Sequence, residues 1–273
     1  MTAARDALRD ATARFAFSPT ARLDAELLLA HALGIDRQRL LLTLVDHDVP
    51  PAFAELVDRR ARHEPVAYLT GTRAFWTIDL LVGPGVLIPR ADSETLIEAA
   101  VEHFAGTAGP RRILDLGTGP GTLLLAALDQ WPMATGQGVD ASPVALDYAR
   151  RNAAALGSAG RARFTAGDWA DRITDSFDLV LANPPYIESD AALPDEVARY
   201  EPAAALFAGS DGLDDYRRIA VQLPALLTPG GVACVEIGAT QGQSAAALFR
   251  AAGLSVILRR DLGDRDRCLV VTP

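Results

Sequence analysis

Asn183-Pro184-Pro185-Tyr186 closes the apolar run FDLVLA at residues 177–182. Neither proline has an N–H to donate and both hold φ near about −65°, so a strand must stop there. What the turn offers instead is a rigid pair of acceptors. The Asn183 side-chain oxygen and the Pro184 carbonyl can each take one hydrogen of a planar NH2 group, and proline rigidity limits reorganisation as charge develops on nitrogen. Tyr186 adds a π-face able to cover a planar substrate and a cationic methyl group. An amide nitrogen is a poor nucleophile because its lone pair is delocalised into the carbonyl. A site acting on it must localise that pair and align it with a methyl carbon. No strong base is needed, because the nitrogen can shed its proton after attack on a sulfonium.

A second turn, in ILDLGTGPGTLLLAAL, places Gly117, Gly119 and Gly121 between a strand and a helix, with Thr118 and Pro120 between them. Such a turn lets a ligand approach bare backbone at a helix N-terminus. It fails the dinucleotide fingerprint G-x-G-x-x-G, because Thr122 stands at the sixth position where helix packing wants glycine. Asp115 precedes the first glycine. A carboxylate there repels a pyrophosphate but can hold a cationic amino group, such as that of the methionine part of S-adenosylmethionine. The plain alternative is a tight turn with no ligand.

Asp140 ends the next strand, in GQGVDASP, with spacing suited to accepting from both ribose hydroxyls. NAD enzymes use the same device, so Asp140 points only to an adenosine-like ligand; a helix N-cap is the plain alternative, although Ser142 can cap instead. After the third strand, AGDWAD supplies Asp168 to accept from an adenine amino group and Trp169 to lie against the ring. Ligands of open α/β sheets bind outside the carboxyl ends of the strands, where the glycine turn and Asn183 both fall.

These residues need a scaffold. From residue 111 the sequence repeats strand, turn and helix: RRILDLG, GQGVDA, ARFTAG, FDLVLAN and GVACVEIG are short, apolar and separated by helical segments. That implies a parallel sheet covered on both faces. LSVILRRDL and RCLVVTP lack room for a crossover helix and should pair antiparallel through a loop at Gly263. Residues 1–70 read as helices: Ala21 to Leu33 puts Leu23, Leu27, Leu28 and Ala30 on one face before Gly34, and a further helix starts at Pro50-Pro51. Residues 71–90 read as a β-hairpin linker reversing at Gly83-Pro84-Gly85, and ADSETLIEAAVEHF as a helix capped by Asp92 or Ser93. The larger domain then covers residues 91–273.

Composition excludes several chemistries. All 26 basic residues are arginine, which removes P-loop, Schiff-base and general-base lysines. A net charge of −9 argues against sequence-independent duplex binding. Cys234 and Cys268 sit in apolar runs as small hydrophobes, and the histidines show no metal-ligand spacing. No apolar run reaches the roughly 18 residues a membrane helix needs. The opening MTAARDALRD does not read as a signal peptide, so a cytoplasmic protein is expected.

NPPY together with DLGTGPG resembles the signature pair of methyltransferases acting on amide or aromatic amino nitrogens. The wider chain resembles the protein-(glutamine-N5) methyltransferases of peptide chain release factors: LDAELLLAHALG, RHEPVAYLTGTRAFW, VLIPRADSE, EPAAALFAGSDGLDDYRRI and LGDRDRCLVV all match. The resemblance implies an α/β, Rossmann-like class I methyltransferase fold with a mostly parallel seven-stranded sheet and a small N-terminal helical domain that docks the release factor. It implies S-adenosyl-L-methionine as methyl donor and the glutamine of a Gly-Gly-Gln loop as acceptor, in translation termination. By position, Asp115, Gly117 to Gly121, Asp140, Asp168, Trp169 and Asn183 line the cofactor site. Asn183 to Tyr186 hold the glutamine, and Arg90 lies near the mouth. Pro120 departs from the commoner small residue and removes one backbone donor; PRADSE departs from the commoner PRPETE.

Other readings share parts of this pattern. A ribosomal-protein glutamine methyltransferase would carry the same motifs. An adenine-N6 nucleic-acid methyltransferase also presents a conjugated NH2 to such a turn, but the acidic balance and the lack of an obvious target-recognition domain weigh against it. An NAD-dependent oxidoreductase leaves the Asn-Pro-Pro-Tyr turn unexplained, and a non-enzymatic module can share the fold. The charges of EPAAALFAGSDGLDDYRRI also read as a solvated loop and helix turning at Asp211-Gly212.

Overall fold

Among the described residues, five helices fill the first part of the chain: α1 (Ala3–Arg14), α2 (Ala21–Leu33), α3 (Arg37–Thr43), α4 (Pro51–Arg60) and α5 (Val66–Thr70). The computed structural model describes residues 3–44 and 47–273. Met1 and Thr2, at the head of the stretch expected not to be a signal peptide, lie outside the described residues. Gly34 ends α2 at φ +66°, a left-handed value that glycine adopts without a Cβ penalty. Pro51 opens α4, where its missing N–H has no helical partner to lose. The face that α2 buries is wider than the expected one: Leu28 and Ala30 are buried as expected and Leu27 is half-buried. Ala25, Leu28 and Leu29 are fully buried, whereas Leu23 is 37% exposed. The reason is that α1, α3, α4 and α5 all pack around α2. The wider buried arc takes in Asp24, paired with Arg60 at 2.8 Å, and Glu26, paired with Arg22 at 2.6 Å and Arg37 at 2.8 Å. Leu8, Phe15, Leu40 and Phe53 complete this core.

The chain divides into two compact units, Met1–Thr72 with Leu193–Tyr200, and Arg73–Ala192 with Glu201–Pro273. Strands β1 (Thr72–Phe75) and β2 (Ile78–Leu81) form a two-stranded sheet. The chain reverses at Trp76-Thr77, not at Gly83-Pro84-Gly85. Trp76 takes φ +55°, a conformation uncommon for a bulky residue, and its N–H donates to Glu94 Oε1 at 2.8 Å. That partner comes from another element, so local turn chemistry could not announce it. Gly83 serves a close approach instead, since a Cβ there would lie 2.3 Å from the Tyr148 hydroxyl.

The second unit continues with α6 (Glu94–His103), β3 (Arg112–Leu116), α7 (Thr122–Gln130), β4 (Thr135–Asp140), α8 (Pro143–Ala155), β5 (Ala162–Ala166) and β6 (Phe177–Ala182). The short α9 (Asp195–Ala198) falls in the first unit. Then come α10 (Asp214–Leu226), β7 (Leu227–Glu236), α11 (Gly242–Ala251), β8 (Ser255–Arg260) and β9 (Asp266–Thr272). Seven strands form one sheet in the order β5-β4-β3-β6-β7-β9-β8. Pairs from β5 to β7 are parallel, while β9 runs antiparallel to both β7 and β8. The expected mixed α/β sheet with an antiparallel end is therefore present, with the β8–β9 loop at residues 261–265. Cys234 and Cys268 are free and fully buried. Among the described residues no helix is long and apolar enough to cross a membrane.

Strand order reverses between β3 and β6. Leu116 pairs with Ala182, so the glycine turn after β3 and the Asn183 turn after β6 leave the sheet side by side. A crevice opens where neighbouring chains leave a parallel sheet in opposite directions. Apolar burial holds both strands: Leu114, Leu116, Val180 and Ala182 share one core with Tyr216, Ile219 and Leu223 of α10 and Phe249 of α11.

Candidate active site

A cavity of about 450 Å³ lies at this crevice. Of the residues expected to form the site, Arg90, Asp115, Gly117, Thr118, Gly119, Pro120, Asp140, Asp168, Trp169, Asn183 and Pro185 line it. Gly121, Pro184 and Tyr186 do not stand in its wall. Gly121 caps α7 at φ +88°, and a Cβ there would come within 2.8 Å of Leu125; its service is helix packing. Pro184 is buried. The Tyr186 ring is packed onto the core beneath the loop with its hydroxyl 3.5 Å from Glu236 Oε1. Burial pushes that phenol up to about 12.

Asp115 is 1% exposed. Its Oδ2 accepts from the Thr118 hydroxyl at 2.6 Å and from the Leu124 N–H at 3.2 Å, while Oδ1 has no partner. Burial drives the carboxyl up to about 7, against the pull of those two hydrogen bonds. An orphaned, buried carboxylate oxygen on a cavity wall is costly unless a donor arrives there, and a cation answers it best. Gly119 (φ +56°) has nothing within 4 Å of where a Cβ would sit, so its backbone faces open space. The Pro120 carbonyl accepts from Asn152 Nδ2 at 2.9 Å.

Asp140 links two loops: its Oδ2 accepts the Gly119 N–H and its Oδ1 the Ser142 N–H, both at 2.8 Å. Burial raises its pKa. Ser142, not Asp140, caps α8, accepting from the Ala145 N–H at 3.2 Å. Asp168 is exposed and pairs with Arg218 at 2.5 Å. Trp169 donates its Nε1–H to Asp215 Oδ1 at 3.0 Å, and its ring edge covers Gly117. Asn183 donates from Nδ2 to Ser93 Oγ at 3.3 Å.

Arg90 pairs with the buried Glu201 at 2.5 Å, and Glu201 also accepts the Ile88 N–H at 3.1 Å. Thus EPAAALFAGSDGLDDYRRI is only partly solvated. Asp215 and Arg218 line the cavity and Glu201 holds Arg90, which also lines it, whereas Asp211 and Arg217 pair on the surface at 2.5 Å. Sequence reading did not assign Ser93, Asp215, Arg218 or Glu236 to the site. For Glu236 a signal existed, since an acid inside the apolar run GVACVEIG is rarely buried without a task. Among the described residues no group of three or more His, Cys, Asp or Glu could hold a metal ion.

The chain is similar to known proteins over nearly its whole length. Residues 6–71 match the PrmC N-terminal domain, and residues 110–251 a methyltransferase domain. A release factor glutamine methyltransferase of Cereibacter sphaeroides is 46% identical over 97% of this chain and 96% of its own. One from Rhodospirillum rubrum is 46% identical over 91% of this chain and 78% of its own. In fold, a methyltransferase from Pyrococcus furiosus superposes with a TM-score of 0.55 at 18% identity, covering 78% of this chain and 97% of that one. With the crevice, the orphaned acid and the Asn-Pro-Pro-Tyr turn in place, the chain belongs to the release factor glutamine methyltransferase family.

Proposed function

We propose that this protein transfers a methyl group from S-adenosylmethionine to the side-chain amide nitrogen of the glutamine in the Gly-Gly-Gln motif of peptide chain release factors. The observation that carries this reading is one cavity walled by both Asp115, with its unpartnered oxygen, and Asn183. The bound cofactor supplies an electrophilic methyl carbon on a sulfonium.

Asp115 Oδ1 takes the cofactor's ammonium group, and Asp140 accepts from its ribose hydroxyls while keeping the glycine turn in shape. Trp169 and Asp168 form the adenine side. About 450 Å³ is within the usual range for such a ligand. Asn183 Oδ1, on the cavity wall, receives one amide hydrogen of the glutamine, and the carbonyl of Pro184, next in the turn though its residue lies outside that wall, receives the other. Held this way, the nitrogen lone pair is turned out of conjugation and toward the methyl carbon, and the fixed acceptors stabilise the positive charge that grows on nitrogen. Formation of the C–N bond would break the donor's methyl–sulfur bond and leave a neutral thioether, and the nitrogen's proton would then pass to solvent. Arg90 orders the segment at the mouth through Glu201. The hydroxyl of Tyr186 supports the loop from below.

The helical unit of residues 1–72 docks the release factor, and the unit that begins at Arg73 carries the chemistry, with residues 73–90 part of it and not a separate linker, in the cytoplasm where release factors act. The test is incubation with labelled methyl donor and a release factor, beside the same factor with the motif glutamine replaced by alanine. Label in the first and none in the second is expected. Label in neither, with a ribosomal protein or an adenine-containing duplex labelled instead, would overturn the assignment.

A further inference from the structure

An asparagine amide is nearly symmetric in shape, yet only one of its two orientations can serve this site. With Oδ1 toward the cavity it accepts; turned over, it presents Nδ2 and meets a substrate NH2 donor to donor. Something must choose between them.

Three residues far apart in sequence meet behind the loop. Ser93 sits in the turn before α6, Asn183 follows β6, and Glu236 ends β7, adjacent because Ala182 pairs with Val235. Ser93 Oγ accepts from Asn183 Nδ2 at 3.3 Å. A hydroxyl has a single hydrogen, and with its oxygen so engaged that hydrogen is left to give. Ser93 makes no cap bond to its own helix. The open acceptor beside it is Glu236, 1% exposed: its Oε2 has no hydrogen-bond partner, and Ser93 lies near enough to favour its charged form without a formed bond between the two.

We infer that Glu236 and Ser93 are a positioning pair: the carboxylate claims the serine hydrogen, the serine oxygen must then accept, and Asn183 is held with Nδ2 backward and Oδ1 toward the substrate. This rests on the functional reading above and adds two residues that act through Asn183: Ser93, which borders the cavity, and Glu236, which does not. The direction of donation is one-way only while Glu236 is ionised. A protonated carboxyl can donate to Ser93, which frees the serine to donate in turn and removes the bias on Asn183.

Burial lifts Glu236 to about 7, opposed by Ser93 and by Arg267 on β9. The other titratable groups facing it are Asp92 before α6, Tyr186 on the loop, Tyr216 on α10 and Cys268 on β9.

The experiment uses the full chain with a release factor as substrate. Unlabelled wild type would overturn the functional reading, and this inference with it. Given wild-type turnover, Ser93→Ala is expected to lower kcat about 10- to 100-fold, the range for a misplaced reacting geometry, with cofactor affinity unchanged. Ser93→Thr, which keeps the hydroxyl, should restore most of it. Adding Ser93→Ala to Asn183→Ala should cost nothing further. At saturating substrate the wild-type kcat should fall as pH drops below about 7, and Glu236→Gln should remove that limb. Wild-type kcat in Ser93→Ala, additive losses in the double variant, no rescue by threonine, or an unchanged acid limb in Glu236→Gln would each overturn the inference while leaving the methyltransferase reading standing.

Discussion

The Asp140 carboxylate accepts the backbone N–H of Gly119 at 2.8 Å, so the end of β4 holds the glycine turn that follows its neighbour β3. Asp140→Asn replaces one acceptor oxygen by a donor that meets an N–H head-on. Titration of cofactor into the variant, followed by Trp169 fluorescence, should give a dissociation constant raised about 10- to 100-fold, as expected for losing a charge-assisted hydrogen bond. Wild-type affinity would show that the turn keeps its shape unaided.

Asn183→Ala removes an acceptor at the reacting nitrogen but leaves Asp115 and Asp140 in place. Single-turnover methylation should slow by about 10²- to 10³-fold, the scale of deleting one preorganised polar partner of a transition state. Cofactor binding, read by calorimetry, should change little.

Asp115 couples stability to pH. Its carboxyl titrates near the ordinary 3.8 in the unfolded chain and at about 7 in the folded one. Between those values the folded state keeps a proton that the unfolded state has lost. Stability from this group is therefore intact below about 4, is lost as pH rises, and is fully lost above about 7. Asp115→Asn should flatten that slope and, at pH 8 without cofactor, raise the unfolding free energy by at most about 4 kcal/mol. Cofactor affinity should fall in the same variant. Glu236, shifted the same way, keeps some slope in both proteins. Denaturant unfolding from pH 5 to 8 measures the difference.

Two glycines of one turn separate folding from binding. A Cβ on Gly121 meets Leu125 Cδ1 at 2.8 Å and φ is +88°, whereas a Cβ on Gly119 meets nothing. Gly121→Ala should lose more than about 2 kcal/mol from strain and overpacking together. Gly119→Ala should lose only about 1–2 kcal/mol for its left-handed backbone, and weaken cofactor binding by filling the cradle. Equal unfolding midpoints for the two variants would contradict this division.

Much of the sheet was legible because alternating glycine turns and apolar runs are local signals, and the positions of Asp115, Gly119, Asp140 and Asn183 follow from their places at or just after the ends of strands. The turn at Trp76 was not legible, because a Glu94 side chain 18 residues away supplies its hydrogen bond. The buried face of α2 was only partly legible, with Leu28 and Ala30 inside but Leu23 outside, for a similar reason: four packed helices, not one, decide what it covers. Ser93 and Glu236 looked like a helix cap and a strand residue. Their partnership exists only once β6, β7 and the start of α6 are assembled, across 90 residues between Ser93 and Asn183. Tyr186 was read as a cover for the substrate, but its hydroxyl follows Glu236 downward.

Strand order carries a consequence for assembly. β9 follows β8 in the chain yet lies between β7 and β8, and it brings Arg267 toward Glu236. β8 reaches the sheet only through β9, so the two join the open flank of β7 as one hairpin. The back wall of the catalytic crevice is therefore completed in that single docking step.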